Sequence, residues 1–119
     1  MSVTNAHRAS VNRGALTRPA ALETYAAEAA RYDANARVAH QYVKNTNFGS
    51  GLVRAENEVL WWPLATYGTV RKVVESGLAE MWREGAAGVH HRNMAGDYSQ
   101  AGCGIFVKNG EVTVTQAFR

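Results

Sequence analysis

Four separate stretches of the chain carry imidazoles or carboxylates that could work together: His40, the run Glu56-Asn57-Glu58, Glu84, and the pair His90-His91. Two histidines and two glutamates drawn from different elements are an ordinary ligand set for zinc or another divalent cation. The same groups can do general acid and base work. Each also has a plainer reading. A histidine at a helix end interacts favourably with the helix dipole, Glu56 and Asn57 can bond backbone amides in a loop, and Glu84 can be a solvated charge at a helix end. Composition does not by itself bring the four stretches together. Other chemistries are poorly supported. There is no Gly-x-Ser-x-Gly, no phosphate-binding loop and no zinc-protease helix motif. Asp97 and Ser99 lie too close in sequence to the histidines to form a triad with them. Cys103 is the sole cysteine, which excludes an internal disulfide and a cysteine-based zinc site. Between Gly102 and Gly104 it reads as a small buried hydrophobe.

With 119 residues the chain is long enough for one packed domain, expected to span 1–119. Its 46% hydrophobic and 19% charged residues are those of a globular protein. The net charge of +3 is spread along the chain rather than gathered into a basic stripe, so a nucleic-acid partner is not expected. No apolar run is long enough for a transmembrane segment, and the polar opening MSVTNAHRASVNRGA has no secretion signal in it.

The elements that must position the candidate groups follow from periodicity. A short helix is expected up to about Asn12, capped by Thr4 or Asn5 and stopped by Gly14. A long helix follows, with Thr17 as cap and Pro19 near its first position. Leu22, Tyr25, Ala26, Ala29, Tyr32, Ala36 and Ala39 give it a small-residue face suited to lying close on a sheet, and its last turn carries His40. After the loop KNTNFGSG, the segment LVRAENEVLWWP reads as a strand ended by Pro63. Thr69 caps a second helix with Val70, Val73, Val74, Gly77, Leu78, Met81 and Trp82 on one stripe. Trp61, Trp62 and Trp82 read as core or rim aromatics. Asn109-Gly110, flanked by GIFVK and EVTVTQAF, is a strong hairpin signal, since both turn residues must accept positive φ. Helices first and a hairpin last point to an α+β architecture with an antiparallel sheet covered by helices.

The order of these pieces resembles the CAP superfamily of SCP-like domains, which includes cysteine-rich secretory and pathogenesis-related proteins, in its bacterial single-domain form. NAHRASVNRGAL resembles the family's opening N-x-x-R helix, and LETYAAEAARYDANARVAHQ its small-residue helix ending in histidine. AEN stands where the family has Gly-Glu-Asn, with Glu56 sixteen residues after His40. MWREGAAGVHHRNM resembles the stretch with Trp and then Gly-His-Arg-x-Asn, and AGCGIFVKNGEVTVTQAF the closing Gly-x-Gly and Thr-Gln-x-Phe strands.

The resemblance implies an α-β-α sandwich with a central, mainly antiparallel sheet. It also implies a cleft of His40, Glu56, Glu84 and His90, with His91, Asn57 and Asn93 beside it. His90 is preferred to His91 because only His90 keeps the spacing His-x-x-Asn to Asn93; Tyr98 then packs as the strand enters the sheet. Ala55 replaces the family's glycine, and Glu84 follows Trp82 by two positions rather than three. The expected function is a non-enzymatic binding module whose cleft takes a divalent cation such as zinc, through His40 and His90, or a lipid-like, glycan or protein ligand. The alternative is a metal-dependent hydrolase in which His40 and His90 hold the metal and Glu56 activates water. Another is a structural or effector part of a larger assembly, such as an oligomer or a phage particle. The family is usually secreted; without a signal in this sequence, the expectation divides among the cytoplasm, export by another route and a virion.

Overall fold

The computed structural model describes residues 2–119. Its elements are α1 (Ser2–Ser10), α2 (Ala20–Ala36), α3 (Gln41–Asn45), α4 (Asn47–Ser50), β1 (Ala55–Pro63), α5 (Leu64–Tyr67), α6 (Val70–Arg83), α7 (Val89–Met94), β2 (Ala101–Lys108) and β3 (Glu111–Phe118). The three strands form one antiparallel sheet in the order β1-β3-β2. β2 and β3 are the expected hairpin, with Asn109 and Gly110 at φ 52° and 74°. This double positive φ is what the Asn-Gly pair supplies at least cost.

Helices cover both faces of the sheet, which gives the α-β-α sandwich. On one face α2 lies on β2 with Leu22, Tyr25, Ala26 and Ala29 in a core with Val43, Val53 and Ala117. Gly102 and Gly104 allow that approach: a Cβ on Gly102 would stand 2.1 Å from the Leu22 carbonyl oxygen, and one on Gly104 would stand 2.2 Å from that of Ala26. On the other face Val73, Leu78 and Met81 of α6 close over Val59, Val112, Val114 and Phe118. α6 begins as expected, with Thr69 Oγ1 accepting from Lys72 N at 3.1 Å.

Several local expectations are corrected. α1 ends at Ser10, and Asn5 does not cap it; the Asn5 side chain lies within the helix and bonds both N and O of Leu16. Thr17 does not cap α2 either, because it forms a bridge with Gln100. The long helix stops at Ala36, so His40 is not in its last turn. Arg37 turns left-handed at φ 58°, and the Asp33 carboxylate accepts from Tyr42 N at 2.8 Å. An aspartate that bonds a later backbone amide offers the chain an alternative to continuing the helix. His40 thereby becomes the left-handed residue that opens α3, at φ 57°.

Candidate functional site

In β1, successive side chains alternate between faces, so Glu56 and Glu58 share one face and Asn57 takes the other. Both glutamates are buried, and both meet His40. His40 Nδ1 lies 2.8 Å from Glu56 Oε1 and 3.5 Å from Glu58 Oε1, while His40 N donates to Glu58 Oε1 at 2.8 Å. The left-handed turn at His40 is what presents its ring and its backbone N–H to the same pair of carboxyls. Thr115 donates to Glu58 Oε2 at 3.0 Å from the neighbouring strand. One ligand atom from each of His40, Glu56 and Glu58 lies within 4.8 Å of the other two.

Burial sets the electrostatics of this group. It raises the Glu56 carboxyl above its ordinary range, an effect partly offset by the hydrogen bond and charge of His40. Glu58 is pushed up to about 9, first by burial and then by its hydrogen bond to the Asp33 carboxyl and the nearby Glu56 charge. Glu58 therefore holds a proton near neutral pH. Asp33 is fully buried on the stripe of α2 that faces the sheet. Glu56 Oε2 is buried with no hydrogen-bond partner among the described residues, a rare condition for polar atoms.

Glu84 and His90 form a second pair, with His90 Nδ1 2.7 Å from Glu84 Oε2 and His90 N donating to Glu84 Oε1 at 3.2 Å. About a third of each side chain is exposed. Here the hydrogen bond from His90 lowers the Glu84 carboxyl below its ordinary range. Glu58 lines the same small cavity as Glu84 and His90, so it stands between the two His-Glu pairs. His90 is not in the close cluster with His40; Glu58 takes the third place instead.

Asn57 and Asn93 hold the two pairs in register rather than offering free groups. Asn57 Nδ2 donates to the His90 carbonyl at 3.1 Å, and Asn93 Nδ2 donates to Asn57 Oδ1 at 2.9 Å. His91 lies outside the cleft, contrary to its expected place beside it. Its Nδ1 bonds the Trp82 carbonyl at 2.6 Å, and its ring stacks on Trp82, which stacks in turn on His7. Two further structural residues support α7. Arg8 is buried and donates to the carbonyls of Gly14, Met94, Gly96 and Tyr98, and Tyr98 stacks on Phe118. Cys103 is part-buried, and burial pushes its thiol up, away from reactivity.

Sequence reasoning named Glu58 without carrying it into the cleft, and it overlooked Asp33. Both had signals. Glu58 is two residues from Glu56 in a strand, hence on the same face, and Asp33 continues the three- and four-residue steps of Ala26, Ala29 and Ala30.

A sandwich of this topology, with imidazoles and carboxyls gathered over the first strand, defines a small cleft-bearing α-β-α domain. Residues 1–118 match the profile of the CAP, or cysteine-rich secretory protein, family, and the chain belongs to that family. A crystal structure of a cysteine-rich secretory protein from Staphylococcus aureus superposes with a TM-score of 0.57 at 14% identity, which establishes likeness of fold. The alignment covers 99% of this chain and 36% of the staphylococcal one, so the chain spans about a third of that protein. No curated protein sequence matches significantly.

Proposed function

We propose that the chain is a non-enzymatic binding module of its family, and that His40, Glu56 and Glu58 take a divalent cation. Imidazole with two carboxyls suits zinc. The observation that carries this reading is the close approach of three ligand atoms beside the unpartnered, buried Glu56 Oε2. The cavities flanking the group measure about 260 and 150 Å3, below the usual size of an organic ligand's pocket. An ion therefore fits this site better than a lipid or glycan does.

When bound, the cation would supply the positive charge that the two buried carboxyls lack. A Glu58 carboxyl raised to about 9 must give up its proton to serve as a ligand, so affinity rises with pH through the neutral range. Calorimetric zinc titration in two buffers of different ionisation enthalpy tests this. Binding on the order of micromolar, with proton release to the buffer and loss in His40→Ala and Glu58→Gln, is expected. Equal binding in wild type and both variants would rule the site out.

A further inference from the structure

We propose that a cavity outside the His/Glu group, at the turn end of the hairpin, binds a small ligand carrying both a carboxylate and hydroxyls, of the uronic-acid class. The starting point is a reversal of alternation in β1. Val59 faces α6, where its Cγ2 lies 2.5 Å from the position a Cβ on Gly77 would take. Strict alternation would put Trp61 on that face as well. Instead the pairing with β3 shifts register between Val59 and Trp62, and Trp61 adopts φ 58°. The bulge sends Trp62 into the α6-side core, stacked on Tyr67, and turns Trp61 to the opposite side. There its Nε1 donates to the Ala34 carbonyl at 3.3 Å.

A left-handed backbone is costly for a bulky aromatic and persists only where the surroundings enforce it. What it achieves here is an indole wall for a cavity of about 320 Å3, shared with Asn35, Arg37, Lys108, Asn109 and Glu111. That volume is at the lower end for organic ligands, suited to a single sugar-sized molecule.

The charges of the cavity do not cancel. Arg37 stacks over the Trp61 ring at 4.6 Å and is paired with Glu111 at 2.6 Å. Lys108 Nζ donates to the neutral Asn35 Oδ1 at 2.7 Å, and among the described residues it forms no ion pair. An ammonium has three donors, so Lys108 retains two for a ligand carboxylate. The Asn35 and Asn109 amides can exchange hydrogen bonds with hydroxyls, and the part of the indole that lines the cavity beside Arg37 offers apolar surface to ring C–H groups. A carboxylate alone would leave the amides and the indole unused. A neutral sugar would leave the ammonium unmatched.

The test is amide NMR titration of the whole chain with D-glucuronate, D-glucose and acetate. Wild type is compared with Lys108→Met, which changes only an exposed side chain, and Trp61→Gly, whose glycine accepts φ 58° freely. Glucuronate is expected to shift resonances of residues 108–111 and one indole N–H, binding at least about tenfold more tightly than glucose or acetate. Lys108→Met should bring glucuronate down to the level of glucose, and Trp61→Gly should weaken it comparably. Acetate binding as tightly as glucuronate, or an undiminished affinity in Lys108→Met, would overturn the proposal.

Discussion

The two His-Glu pairs of this domain have nearly the same contact and opposite electrostatics. His40 meets Glu56 at 2.8 Å and His90 meets Glu84 at 2.7 Å, yet the Glu56 side chain is 2% exposed and that of Glu84 33%. Glu56 is raised and Glu84 is lowered. The imidazole favours the carboxylate in both pairs. Only at Glu56 does desolvation outweigh it, and the charge of Asp33 adds to the rise. A hydrogen bond from histidine therefore does not set the direction in which a glutamate shifts; its burial does. The buried pair is the one proposed above to take a cation.

Breaking each pair should separate them most sharply. His40→Ala leaves Glu56 buried without a partner and is expected to cost about 2 kcal/mol of stability. His90→Ala, in a partly solvated pair, should cost no more than about 0.5 kcal/mol. Denaturant unfolding near neutral pH measures both. Equal costs would mean that the difference in burial carries no energetic weight.

A second difference should appear in stability as pH rises through the neutral range. Glu58 has its folded value raised to about 9 from 4.5, so its contribution is fully present below the unfolded value and is lost as pH rises toward 9. Glu58→Gln keeps an acceptor for His40 N and has no proton to lose. Thermal melts between pH 6 and 9 should show wild type losing stability as pH rises, with the variant flatter. Glu84 has the reverse sign and the smallest effect. Its lowered value gives stability that is present above the unfolded value and lost on acidification. Glu84→Gln should therefore flatten the acid limb slightly, by less than about 0.5 kcal/mol given its exposure.

Much of the frame was legible because local physics dictates it. Asn109-Gly110 allows little but a tight hairpin, Thr69 caps α6, and the small face of α2 matches Gly102 and Gly104. The family motifs pointed to the stretches in which the two His-Glu pairs lie. Three features were not legible, each because a tertiary contact decides it. Asp33 bonds Tyr42 across the end of α2 and moves His40 out of the helix. The bulge at Trp61 reverses the faces of the two tryptophans. His91 goes to Trp82 because α6 presents both a ring and a carbonyl there. The period of two in β1 does place Glu58 beside Glu56, a signal that motif spacing alone passed over.

The most direct test of the central claim is anomalous diffraction at the zinc edge from crystals of the whole chain grown with zinc. A peak bonded to His40, Glu56 and Glu58 is expected, with ligand distances of about 2.0–2.2 Å. A peak held by His90 and Glu84 with none at His40 would contradict it.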